Sequence, residues 1–193
     1  MRIAVFGGTG RTGHWFLAKA LEAGLSLAVL ARSPAKVGIQ HSNLTVQQGD
    51  ALDQAAVERV IAGAEAVVCL LAPAKGQAPF SVTHSVENIL VGMRKHGIQR
   101  LVMTAGAGVA DPLDRATLMS RLMGAALKAA ARDVYEDMLA AVQCVRASDV
   151  AWTVVRAPML HDGPALDQVK AGYLGGNAGS RISRADLAAF VLE

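Results

Sequence analysis

The run Gly7-Gly8-Thr9-Gly10-Arg11-Thr12-Gly13 stands directly after four apolar residues, Ile3-Ala4-Val5-Phe6. It leads straight into a helix-like stretch from Trp15 to Ala23, closed by Gly24. An apolar strand, a glycine turn and a helix start together make an anion site. Glycine lets the main chain bend sharply and approach a pyrophosphate, and the unpaired N–H groups and dipole of the helix start favour its charge. A glycine-rich turn can also join strand to helix with no ligand. Here the order strand, turn, helix meets the context that the motif requires. A bound nucleotide is therefore expected, with Gly7, Thr9, Gly10, Arg11, Thr12 and Gly13 among its contacts.

Strand-like and helix-like segments alternate along the rest of the chain. Strands are predicted at 2–6, 26–31, 44–48, 66–72, 100–104 and 151–156, and helices near 12–23, 53–62, 81–96 and 114–148. Two short strands, at about 168–174 and 180–182, and a helix from Ser183 complete the pattern. This alternation implies an α/β fold with a parallel sheet and right-handed crossovers. A chain of 193 residues fits one domain, and 52% apolar content suits a sheet covered on both faces. Local punctuation agrees with these boundaries. Ser33-Pro34 reads as the start of a helical turn, Asp53 as a cap, and Gly63 and Gly97 as helix ends, while Ser183 with Asp186 resembles a capping box. The glycine-rich segment 105–113 follows the fifth strand, and ligands of such sheets sit at the carboxyl ends of strands.

The second strand indicates which nucleotide is bound. About 20 residues after a glycine fingerprint, an acid usually takes the ribose 2′-hydroxyl. At that place the chain reads Val29-Leu30-Ala31-Arg32-Ser33. A carboxylate would repel a 2′-phosphate, whereas a guanidinium can hold one through two hydrogen bonds. Arg11 could reach the same phosphate, and Lys36 adds a third positive charge close to Ser33. Any one of these could be a solvated surface cation, but their joint placement favours NADP(H) over NAD(H). Asp50 and Ala51, within Gly49-Asp50-Ala51-Leu52 after the third strand, are expected at the adenine.

Other classes of partner are disfavoured. No apolar run approaches the ~20 residues that span a bilayer, and residues 1–30 lack the basic start and cleavage site of a signal peptide. A cytoplasmic location with no membrane partner is expected. Net charge is only +3, no lysine or arginine run stands out, and 4% aromatics supply no stacking platform, so nucleic acid is not an expected partner. Cys69 and Cys144 read as buried reduced thiols. The histidines at 14, 41, 84, 96 and 161 show no ligand spacing, and no metal is expected.

Several segments resemble a known group. Gly7 to Gly13, Arg32-Ser33-Pro34-Ala35-Lys36 and Gly49-Asp50 look like the atypical short-chain dehydrogenase/reductases. Within them the chain is most similar to the NmrA-like, NAD(P)H-binding branch that includes flavin reductase of the biliverdin-IXβ reductase type. The likeness continues in Glu87-Asn88-Ile89, His96-Gly97-Ile98, Trp152-Thr153-Val154-Val155-Arg156-Ala157-Pro158 and Ser180 to Leu187. It implies a Rossmann-type, doubly wound parallel sheet forming a single domain over 1–193, with a small substrate-side segment from about 157 to 193. It also implies NADP(H) as cofactor. Leu71, Ala72 and Pro73, then Thr104 and Ala105, then Pro158, at the ends of the fourth, fifth and sixth strands, complete the expected cofactor contacts.

The catalytic set of the wider superfamily is missing. That set is a serine after the fifth strand and a tyrosine with lysine four residues on, the lysine lowering the tyrosine's pKa for proton exchange. Here Tyr135 is followed at the fourth position by Leu139, and Tyr173 falls in the predicted late strand. The serine region reads Met103-Thr104-Ala105-Gly106, so only Thr104 offers a hydroxyl. Where flavin-reductase relatives carry a histidine after the sixth strand's proline, this chain has Met159, with His161 two residues further on as a loop or site residue. Thr104 and His161 are the candidate catalytic residues. Hydride transfer to a flavin, quinone or similar flat acceptor needs mainly orientation, and small residues such as Ala72, Pro73, Ala105, Gly106 and Ala107 would suit a flat ring. A flavin would then be a substrate, not a held prosthetic group. A non-catalytic NADP(H)-binding sensor is the alternative. A sugar-nucleotide epimerase is disfavoured, because only about 35 residues follow Pro158. Leu118, Met119, Leu122, Met123, Ala126, Leu127 and Ala130 form a stripe that could be core, cover the site, or pair two subunits, leaving monomer or homodimer open.

Overall fold

Strand β1, Arg2–Phe6, buries alternate residues in two separate cores. Ala4 and Phe6 enter one, Ile3 and Val5 the other, and each of the four is at most 3% exposed. That is the two-sided burial of a central parallel strand. The computed structural model describes residues 1–73, 76–115, 128, 131–166, 168–175 and 179–193.

The strands β1, β2 (Ser26–Ala31), β3 (Leu44–Gln48), β4 (Ala66–Cys69), β5 (Arg100–Gly106) and β6 (Ala151–Ala157) form one parallel sheet in the order β3-β2-β1-β4-β5-β6. The chain runs outward from β1 to β3, then crosses back to β4 beside β1. Val5 pairs with Val29 on one side and Val68 on the other, so the reversal of strand order lies between β1 and β4. Helices α1 (Arg11–Glu22), α2 (Gln54–Ile61), α3 (Ser81–His96), α4 (Arg132–Arg146) and α5 (Arg184–Leu192) cover both faces. Phe16 and Leu17 of α1 and Leu187 of α5 share the core under Val5, while α2, α3 and α4 pack over Phe6. The single-domain Rossmann architecture is as the sequence implied.

Most terminators act as expected. Asp53 caps α2 by accepting from the Ala55 N–H at 2.9 Å, and Gly97 takes the left-handed conformation that closes α3. Ser183 caps α5 by accepting from the Asp186 N–H at 2.9 Å, but Asp186 turns its carboxylate to the Ser183 hydroxyl and the Leu166 N–H instead of the Ser183 main chain. Pro34 opens only a single 3-10 turn, Pro34–Lys36, and the Ser33 side chain makes no cap bond to it.

Three regions depart most from the predicted elements. The fourth strand ends at Cys69, short of residue 72. Residues 168–174 do not form the predicted strand, because no neighbouring strand meets them; Leu174 instead donates its N–H to Asp114 Oδ1 and accepts from the Arg115 N–H. Tyr173 therefore lies in irregular, exposed chain. The partner of the last strand is β7, Met159–His161, which pairs in parallel with β8, Arg181–Ser183. Within the long predicted helix, Arg132–Arg146 forms α4 and Lys128 is also helical, whereas 111–115 is a turn region. The stripe from Leu118 to Ala130 lies outside the described residues.

Helix α3 has no cap residue of its own. Phe80, at the cap position, is left-handed with φ of 56°, and the cap comes from α4. The Asp137 carboxylate, 3% exposed, accepts from the Val82 N–H at 3.1 Å and from the Thr83 N–H and hydroxyl at 2.8 Å each. This bond set fastens two helices to each other as well as satisfying a helix start. A second bond set, part-buried, fixes the loop after β5. Arg156 of β6 grips both Asp114 oxygens at 2.7 and 2.6 Å and donates to the Val109 carbonyl at 2.7 Å. The guanidinium, helped by the N–H groups of Asp111 and Leu174, outweighs burial and holds the Asp114 carboxyl down at about 2.

Asp137→Ala leaves two helix-start amides unpaired in the interior and should destabilise the fold by about 2–3 kcal/mol, measured by urea unfolding. For Asp114 the folded value lies below the ordinary 3.8, so its contribution is complete above about pH 4 and is lost as pH falls toward 2. Unfolding free energy should drop across that window in the wild type and drop less in Asp114→Asn.

Candidate functional site

The glycine turn leaves β1 at the point where the strand order reverses, and its main chain is pressed against the exit of β4. Gly7 has φ of +86°, and a Cβ there would sit 2.6 Å from the Leu70 carbonyl carbon and 2.9 Å from the Leu71 nitrogen. A side chain at Gly13 would overlap the Gly7 carbonyl oxygen, so the first turn of α1 also depends on glycine. Gly10 sits at the N-cap with no side chain to fill it, and no acidic residue occupies the first turn of α1. The N–H groups of that turn therefore face outward with the dipole's positive end behind them. A dinucleotide fits this cradle: the space a Cβ would take is left to main chain and ligand, and the helix start supplies the donors for a pyrophosphate.

Beside it lies a cleft of about 330 Å³. Gly7 and Thr9 form one wall, Arg32 stands at the exit of β2, and Asp50 and Ala51 come from the loop after β3. Leu71 and Ala72 complete the side formed after β4. Sequence reasoning missed the opposite wall, Gln77, Ala78, Ser81 and Ser85, which is brought in by the start of α3. The adenine-side loop is held by two bonds: Asp50 Oδ1 accepts from the Leu52 N–H at 3.0 Å, and Asn88 of α3 donates to the Ala51 carbonyl at 2.9 Å. Asn88 stood among the residues carrying the family resemblance, yet only the fold shows its work.

The three cations are placed differently. Arg32 lines the cleft and has no ion-pair partner among the described residues. Ser33 and Lys36 are exposed next to it on the 3-10 turn. Arg11 does not line the cleft; its guanidinium points to Asp162 after β7, 3.4 Å away. Gly10, Thr12 and Gly13 belong to the turn and helix start and not to the cleft wall.

At the other end, Thr104 is half-buried on β5 opposite Val155, and Ala105 is buried opposite Arg156. Pro73 and Pro158 are half-buried at the exits of β4 and β6. His161 ends β7, half-buried, with Nδ1 3.3 Å from the Asp162 carbonyl oxygen. Met159 is 65% exposed. Tyr135, in the first turn of α4, meets a lysine through its ring face: the Lys128 ammonium lies 5.4 Å from the centroid. Cys69 is buried at the end of β4 and its thiol is pushed up to about 11 by burial; Cys144 is half-buried, and both are free thiols. No group of His, Cys, Asp or Glu suited to a metal occurs among the described residues, nor does a helix long and apolar enough to cross a membrane.

Residues 7–193 match a protein family described as NAD(P)H-binding. Solved structures share the fold over nearly the whole chain. The anaerobillin reductase ChuY from Escherichia coli O157:H7 superposes with a TM-score of 0.80 at 19% identity, covering 99% of this chain and 88% of that one. A wide-type short-chain dehydrogenase/reductase from Veillonella parvula, solved in complex with NADP, gives 0.77 at 16%, covering 98% and 84%. A Rossmann-fold NAD(P)-binding family protein from Shigella flexneri gives 0.71 at 18%, covering 99% and 84%. With a matching family over all but the first six residues and the glycine cradle at the strand reversal, the chain belongs to the NAD(P)H-binding family, on a Rossmann fold.

Proposed function

We propose that this protein is an NADPH-dependent reductase that passes hydride to a flavin, a quinone or a similar flat acceptor. The observation that carries the reading is the contrast between the two ends of the site. The cofactor end has Arg32 at the exit of β2, lining the cleft without a carboxylate partner among the described residues. A guanidinium there favours a 2′-phosphate, where an acid would favour the bare ribose. The likeness to the Veillonella protein, whose structure holds NADP, supports the same cofactor.

The acceptor end has Thr104-Ala105-Gly106 at the exit of β5 and no tyrosine with lysine four residues on. A bound reduced nicotinamide supplies the hydride. The chain's part is to hold and orient: the glycine turn for the pyrophosphate, Arg32 for the 2′-phosphate, and the small residues Ala72, Ala105 and Gly106 to leave room for a flat ring. Such an acceptor is already electrophilic and takes its proton from water, so no strong proton donor is required of the protein. Ala105 and Gly106 in place of the usual hydroxyl also favour a second reading, a sensor that binds NADP(H) without turnover.

Arg32→Ala should weaken NADPH by roughly ten- to a hundredfold while changing NADH by less than about threefold, followed by fluorescence titration. Equal losses would sink the 2′-phosphate assignment. Purified protein should oxidise NADPH above the enzyme-free rate with at least one of FMN, FAD or a soluble quinone, followed at the nicotinamide absorbance band. Tight NADPH binding with no oxidation across that panel would favour the sensor.

A further inference from the structure

Asp162 holds two arginines in unequal ways. Its Oδ1 accepts from Arg184 Nη1 at 2.7 Å, and its Oδ2 accepts from Arg11 Nη1 at 3.4 Å. The Arg184 side chain is 9% exposed, whereas that of Arg11 is 73% exposed. Arg184 is thus the fixed counter-ion of the carboxylate, and Arg11 is a second, loosely held one. Exposed pairs with long contacts contribute little, while arginine–phosphate bonds are charge-assisted and can be bidentate.

Arg11 is also the first residue of α1, on the glycine cradle. We propose that Asp162 is a resident anion that competes with the dinucleotide for Arg11. On binding, the guanidinium moves from Asp162 to the phosphates bridging the two nucleosides, and Asp162 remains neutralised by Arg184. The inference rests on the reading of the cradle as the pyrophosphate site. It divides the work of the two arginines: Arg32 reads the 2′-phosphate that only NADPH carries, and Arg11 reads the phosphates that both dinucleotides share. The exchange leaves its surroundings fastened, because the Leu166 N–H stays bonded to Asp186 of α5 and Asp162 to Arg184.

The test is a double-mutant cycle with NADPH and NADH as probes, read by equilibrium fluorescence titration of wild type, Asp162→Asn, Arg11→Ala and the double variant. Asparagine keeps an oxygen for Arg184 while removing the competing charge. Asp162→Asn should tighten both dinucleotides by about two- to fivefold, and Arg11→Ala should weaken both by a similar factor of about ten. In the Arg11→Ala background, Asp162→Asn should change neither. Unchanged or weakened binding in Asp162→Asn overturns the competition, as does equal tightening with Arg11 removed. The Arg11→Ala arm stands alone if the other variant folds poorly: a loss confined to NADPH would place Arg11 at the 2′-phosphate and overturn the division. Failure of the wild type to bind either dinucleotide overturns the reading of the cradle, and the competition with it.

Discussion

The site depends on one close approach, that of the glycine turn to the exit of β4. Gly7 lies so near the main chain of Leu70 and Leu71 that a Cβ cannot be accommodated, and its positive φ turns the chain at that point. The parallel pairing of β1 with β4 sets the distance; Phe6 is opposite Cys69, and both are buried. From this contact follow the direction of α1, the outward aim of its first N–H groups, and the position of Leu71 and Ala72 on the cleft. A residue larger than glycine at position 7 would push apart the two strands that define the crevice.

The two ends of the site are built by different means. At the nucleotide end the loop after β3 is secured by two hydrogen bonds, Leu52 N–H to Asp50 and Asn88 to the Ala51 carbonyl. At the exit of β5, the following loop is fixed by the part-buried Arg156–Asp114 pair, which also takes the Leu174 N–H. A bidentate pair largely screened from water is costly to break from one side, since it leaves the other charge without a partner. Segments far apart in the chain are therefore held together beside the exit of β5.

Much of this was legible in the sequence because it rests on local rules. Apolar runs of strand length, Asp53, Gly97 and Ser183 at helix ends, and the glycines between β1 and α1 each act within a few residues. Arg32 could be placed because it closes a strand of predicted length. What was not legible arises from contacts distant in sequence. The cap of α3 comes from Asp137, 54 residues beyond Thr83, so position 80 gave no sign of it. The partner of β8 is Met159–His161, and not 168–174, because Leu174 has its main-chain groups occupied by the loop carrying Asp114 and Arg115. Arg11 read as a phosphate ligand from its place in the turn, and no rule of spacing points to Asp162, 151 residues away. The wall formed by Ser81 and Ser85 appears only when α3 is folded against the β3 loop.

The capping of α3 by Asp137 has a consequence for the cleft that lies beside it. Two helix starts border this space, that of α1 through the glycine turn and that of α3 through Ser81 and Val82. At α3 the N–H groups of Val82 and Thr83 are already spent on a carboxylate, and Ser85 turns its hydroxyl back to the Ser81 carbonyl. The positive end of that dipole is cancelled from within. The slot is electrically lopsided: the start of α1 keeps donors for an anion, whereas the first N–H groups of α3 are already paired.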